Sequence, residues 1–372
     1  MQNNLVMFPS LKVAGNNSHA TQTKPTKYNY AEQLFIELLA TENLDEQIEN
    51  VAGKAKAFEQ TLSIAIHAAY ENSCGEQDAH LFLQRILYRI NRLNLFWYDD
   101  LRHYDNERSL YLSSCRNQIE AAWQAWELAQ FDLLKLQKLN AKQALTERAS
   151  FDVDPPLSPD SRYLREEMSE VGYRHLLAIA SFDGLVEGSR MTNILGGAAN
   201  EVQCTLVRVF LEEYGNGRLP RKHSTFFAQM LDEFGMNTKP EGYFDLVPWE
   251  VLACDNHNFL TTQRKRYFLR YSGALTYFEV AGPAAYRNYL TAAQRLGLSQ
   301  AAMGYWELHI KEDERHGRWM LDDVALPLAD KYPHDAWELV LGYDQEKFMG
   351  DRAAKAVVRS IREVEQAALG SR

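Results

Sequence analysis

The chain has 372 residues, 46% hydrophobic and 12% aromatic, with a net charge of −10 and a pI near 5.6. That length suggests roughly two domains, and that composition a folded core and not a disordered chain. The acidic balance, without a long basic face, excludes a nucleic-acid backbone as partner, and no apolar run of about 18 residues is present to enter a membrane.

Residues 1–27 are rich in Asn, Ser, Thr and Lys with weak periodicity, which predicts a flexible N-terminal arm. From Tyr28 onward the pattern is helical: Phe58, Leu62 and Ile66 recur every fourth residue, as do Phe82, Ile86 and Ile90. Trp123 and Trp126 continue as helix packing surface. Residues 28–150 are therefore expected to form a helical extension.

In FDVDPPLSPDSR, residues 151–162, Pro155, Pro156 and Pro159 forbid a continuous helix, and Ser158 or Asp160 can cap the next one. This Pro-rich linker is the expected boundary with a second domain, 163–372. Helices are expected over 160–180, 197–214, 222–234, 262–281, 284–296, 299–325 and 334–367, joined by Gly- or Pro-bearing turns. No β-alternation interrupts them, so the fold class is all-α. Gly196-Gly197 and GNGRLPRK lack the strand-loop-helix context of a phosphate cradle.

The stretch HIKEDERHG, residues 309–317, places His309, Asp313 and His316 at i, i+4 and i+7, on one helix face. Two imidazoles and a carboxylate in line suit iron, zinc, copper or manganese, while an ordinary reading pairs Asp313 with His316 or Arg315 on a solvated face. Glu279, in GALTYFEVAGP near an expected helix end, has apolar neighbours and needs a partner or a cation. Glu212 or Glu213 closes one helix and His223 opens the next, with a glycine-proline loop that lets the chain fold back. Such an inventory of carboxylates and imidazoles is what a di-iron site in a helical bundle requires.

Over roughly residues 165–325 the sequence resembles the haem-oxygenase-like di-iron oxidases and oxygenases, the iron-containing redox enzymes. The resemblance rests on EYGNGRLPRKHSTFF, YFDLVPWEVLACDNHNF, GALTYFE, and RLGL followed by YWELHIKEDERH. It implies a haem-oxygenase-like helical bundle with Glu213, His223, Glu279, His309, Asp313 and His316 as iron ligands. An additional carboxylate would be Glu187, with Glu201 as its competitor. The resemblance further implies two Fe(II) ions, O2 as co-substrate, and a small amino-acid-derived substrate undergoing N-oxygenation, desaturation or oxidative C–C cleavage in a biosynthetic pathway.

An external electron donor is expected, since no flavin or nicotinamide motif is present. Arg218, Arg221, Lys222, Arg264 and Arg266 are candidates to bind a substrate carboxylate. The first 150 residues, outside the resemblance, are expected to support a homodimer or cover the site. Cys74, Cys115, Cys204 and Cys254 form no CxxC pair, which points to reduced thiols in a cytoplasmic protein.

Three other readings compete. True haem oxygenases hold haem through a histidine on an early helix, and His175 stands in such a place; three carboxylates and three histidines suit non-haem iron better. A metal-free binding or scaffold protein would tolerate loss of His309 and His316. A metal-free enzyme of thiaminase or cofactor-maturation type would use a nucleophile, with Cys204 as the thiol expected on a core helix. His67, His80, His103, His257 and His334 are read as surface or satisfied core histidines.

Overall fold

The computed structural model describes residues 26–71, 75–95, 101–197 and 200–370. All but the last two residues of the expected arm lie outside these, as do Cys74 and the side chain of His103. Every regular element among the described residues is helical, and none of the helices is long and apolar enough to cross a membrane.

The longer helices of the first part are α1 (Asn29–Leu39), α2 (Ala52–Ile66), α3 (Gln77–Asn91), α4 (Leu110–Leu128) and α5 (Ala141–Asp152). They are followed by α6 (Pro159–Glu166), α7 (Glu170–Gly184), α8 (Glu201–Glu213), α9 (His223–Glu233) and α10 (Trp249–Gln263). The last are α11 (Phe268–Arg295), α12 (Gly304–Trp319), α13 (Leu326–Lys331) and α14 (Trp337–Gly370), with a π-helical turn, Met320–Ala325, joining α12 to α13.

Side-chain caps set several starts. Ser158 accepts from the Ser161 N–H, with Pro159 at the first helical position, so Ser158 and not Asp160 caps α6. Ser169 caps α7 by accepting from the Gly172 N–H, and this second start splits the helix expected over 160–180. Asn200 caps α8 in the same way through Gln203.

Two expectations are corrected. A break was expected at Gly282-Pro283, but α11 runs through it, so Glu279 lies inside the helix and not near its end. Proline has no N–H for the Glu279 carbonyl, and Pro283 is buried within the bundle. The helix α10 was not expected at all. Its polar residues Glu250, Asp255, Asn256 and His257 are buried along with Leu252, Ala253 and Phe259, so no apolar stripe distinguishes one face.

The core does not stop at the Pro-rich stretch. Phe35, Phe58, Leu62, Phe82, Ile86 and Trp123 pack in one cluster with Trp249 and Ala253 of α10 and Met349 of α14. Asn256 of α10 donates to the Gln84 carbonyl of α3 and accepts from Asn91, tying the N-terminal helices to the second half. At the centre, α11 packs against both α12 and α14. Gly273 and Gly342 make the second contact possible, because a Cβ on either would overlap the backbone of the opposite helix, at Leu339 and Arg270 respectively.

Candidate metal centre

Four helices and one turn bring seven donors together. The turn after α7, with Gly188 at φ +73, presents Glu187. Glu213 is the last residue of α8 and His223 the first of α9. Between them the chain reverses at Gly215, φ +60, where a Cβ would overlap the backbone of Arg221 and Lys222; only glycine permits so close a return. α11 contributes Glu279, and α12 contributes His309, Asp313 and His316 from one face, all of them buried.

Six of the donors, all but Asp313, form two groups that share a member. Glu187, Glu213, His223 and His309 each place one ligand atom within 4.8 Å of the others, and Glu213, Glu279 and His316 do the same. His223 Nδ1 lies 2.9 Å from Glu213 and 3.1 Å from His309 Nε2, and the latter is 3.5 Å from Glu187. His316 Nδ1 lies 3.3 Å from Glu279, 3.6 Å from Glu213 and 3.9 Å from Asp313.

Surrounding groups fix the first of these donors. The Nδ1 of His309 sits 2.9 Å from the Tyr305 carbonyl, so that nitrogen carries the proton and Nε2 is left free to bind a cation. The Tyr305 hydroxyl donates to Glu187.

Several of these atoms have no conventional partner. Both oxygens of Asp313, one oxygen of Glu187 and Nδ1 of His316 are buried without a hydrogen bond. Gly282 makes room for Asp313, since a Cβ there would come within 2.9 Å of its Oδ2. Unpartnered buried carboxylates are costly unless a cation compensates them.

The proton affinities respond to the same crowding. Burial, then Glu279, raises Asp313 well above the ordinary carboxyl value. Burial opposes charge on His309, yet Glu187, Asp313 and Glu213 outweigh it and raise its pKa well above the ordinary value. His316 is raised to about 10, burial again being outweighed, here by Glu279 and Glu213. Protons on imidazole thus stand where positive charge is required. A donor set of carboxylate oxygen and imidazole nitrogen, with unpartnered atoms facing inward, fits iron.

The remaining sequence candidates fall elsewhere. Glu201 is exposed in the first turn of α8, and His175 bonds Ser360 on α14. Arg218 and Arg221 are exposed, Lys222 lies over the Tyr214 ring, Arg264 pairs with Glu120, and Arg266 lies over Tyr267. Cys204 is exposed, so it is not the one thiol on a core helix: Cys115 is buried on α4 and Cys254 lies on α10. Burial pushes the Cys254 thiol well up, which suppresses the thiolate a nucleophile needs. His257 is a core histidine whose ring nitrogens lack hydrogen bonds, so it is not satisfied in the expected sense.

A cavity of about 240 Å³ adjoins the donors and is lined by Glu187, Glu213, Glu279, His309 and Asp313. Its wall also carries Arg190, Asp183, Asp255 and Glu346, none of which sequence reasoning singled out. Arg190 pairs with Asp183 and, at 2.8 Å, with Asp255. Burial raises Asp255, Arg190 counters it, and Asp183 and Glu346 add to the rise. The one sequence signal was the spacing of Arg190 from Glu187 in GLVEGSR, three residues on across a glycine turn.

Residues 174–345 match the model of the family described as iron-containing redox enzyme, and the all-helical architecture of the described residues is consistent with a haem-oxygenase-like fold. All seven donors lie within the matched residues. The chain is also similar to a nitrosourea synthase of Streptomyces achromogenes subsp. streptozoticus, 27% identical over 150 residues. That alignment covers 40% of this chain and 32% of the enzyme, so the chain spans about a third of that relative's length.

Proposed function

We propose that the protein is an O2-dependent non-haem di-iron oxidase or oxygenase acting on a small amino-acid-derived substrate in a biosynthetic pathway. The observation that carries this reading is the pair of donor groups sharing Glu213. Glu187, Glu213, His223 and His309 would hold one ion, and Glu213, Glu279 and His316 the other, with Asp313 completing the set. Four carboxylates, Glu187, Glu213, Glu279 and Asp313, match the charge of two ferrous ions, which removes the cost of burying them together. When bound, ferrous iron supplies the electrons that activate O2.

The protein's own groups do the rest. Tyr305 anchors Glu187 through its hydroxyl and His309 through its carbonyl, holding two donors with one residue. Val251, Leu275 and Phe278 give the cavity an apolar stretch of wall against which the substrate's carbon atoms can pack. Asp183, Asp255 and Glu346 outnumber Arg190 there, and this excess of carboxylate suits the amino group of an amino-acid-derived substrate. The similar enzyme is named for making a nitrosourea, a nitrogen-oxidised product, and that name favours N-oxygenation over desaturation or C–C cleavage. An external reductant would return the irons to the ferrous state.

Anaerobic titration of the metal-free chain with ferrous iron, followed by O2 and a panel of amino acids, tests the reading. Uptake of about two irons per chain, reduced in His316→Ala, with O2 consumption accelerated by one substrate, is the expected result. An absence of iron uptake, or uptake untouched by that substitution, sinks it.

A further inference from the structure

Glu212 belongs to neither donor group that meets at Glu213. Neighbouring residues on a helix point about 100° apart, so Glu212 and Glu213 at the end of α8 diverge around the His316 ring. Glu213 faces Nδ1 at 3.6 Å, and Glu212 meets Nε2 at 2.8 Å on the ring's far side. We infer that Glu212 is a positioning residue, whose carboxylate accepts the Nε2–H of His316 and so commits Nδ1, as a lone pair, to the second metal position.

Three observations support the assignment. Nδ1 of His316 is buried and has no hydrogen-bond partner, although it lies 3.3 Å from Glu279. Glu212 is itself held: Arg315 donates to it at 2.6 Å and also to Glu312. The Trp319 ring covers the assembly, with its centroid 5.6 Å from that of His316 and 5.2 Å from the Arg315 guanidinium. A cation, a carboxylate and an imidazole stand in series, an arrangement that fixes the orientation and tautomer of a ligating histidine.

Glu212, Glu312 and His316 also lie close enough together to hold an ion of their own. Arg315 decides against this. Its guanidinium donates to both carboxylates and supplies the positive charge that an ion there would bring.

The inference rests on the two-metal reading, and one experiment separates their failures. Metal-free full-length protein is titrated anaerobically with Co2+, followed by its visible absorption, for the wild type, Glu212→Ala, Glu212→Gln and His316→Ala. The expected result is two Co2+ positions in the wild type, one of them weakened about 10- to 100-fold in Glu212→Ala. The position weakened is the one lost in His316→Ala, and the other is unchanged. Glu212→Gln retains an acceptor oxygen and recovers most of the loss. The thermal midpoint of the metal-free protein separates positioning from folding: it should change little in Glu212→Ala. A wild type without two positions overturns the two-metal reading. Two wild-type positions that both survive, or both weaken, in Glu212→Ala overturn the role of Glu212 alone, as does a parallel loss of metal-free stability.

Discussion

Asp313 holds the sharpest conflict in the metal-free chain, a buried carboxyl with neither oxygen bonded and Glu279 close by. Asp313→Asn should therefore stabilise the metal-free protein by about 1–3 kcal/mol while weakening metal uptake. Denaturant unfolding with and without ferrous iron measures both, and a variant destabilised in both states would contradict the account. A second residue gives a pH signature away from the centre. His80 is buried, stacks on Trp249 with centroids 4.3 Å apart, and is lowered by burial from 6.5 to about 4. The unfolded state then binds the extra proton between those values, so stability rises with pH across that window. Its contribution of roughly 2–3 kcal/mol is intact above pH 6.5 and lost as pH falls toward 4. Unfolding midpoints at pH 7 and pH 4.5 should differ less in His80→Phe than in the wild type. Residue-level placement was legible where spacing alone determines geometry, as for His309, Asp313 and His316 on one buried helix face. It was less legible where a helix end determines it: residue type and spacing left Glu212 and Glu213 interchangeable, and the resemblance pointed to Glu213. The structure separates them by the nitrogen of His316 that each faces and by the contact of Glu213 with His223. Arg190 carried no periodic signal, because a turn places it.

Helix α11 is built from two exceptions to helical preference, glycine where backbones meet and proline beside a donor. Gly342→Ala should cost about 3 kcal/mol or more, since its methyl overlaps the backbone at Arg270 and neither helix can yield without disturbing the other. Chemical denaturation reads this directly, and a loss under 1 kcal/mol would show that the crossing is looser than described. Gly317 does for α12 what Gly282 does for Asp313: a Cβ there would approach the Glu279 carbonyl to 3.0 Å. Sequence rules read Gly282-Pro283 as a stop, because such rules describe isolated helices. Packing on both sides overrules them. The same limit hid α10, where periodicity fails as a signal because nearly every side chain is covered.

The N-terminal helices complete the core, and their removal should be felt throughout the protein. A chain beginning at residue 151 would expose Trp249, Ala253 and Met349 and strand Asn256 without Gln84 and Asn91. Aggregation or reduced helicity is expected by sedimentation and circular dichroism; a soluble, fully helical fragment would refute the shared core. Composition and periodicity made the all-helical class and the Pro-rich stretch legible, but long-range burial has no signature in either. One element joins these regions. α10 offers Val251, Cys254, Asp255 and Asn258 to the cavity, and Trp249, Ala253 and Asn256 to the N-terminal helices. The described N-terminal helices thus stand behind one wall of the cavity, while every donor lies between 174 and 345. Substitutions in those helices can therefore reshape the cavity while leaving the seven donors where they stand.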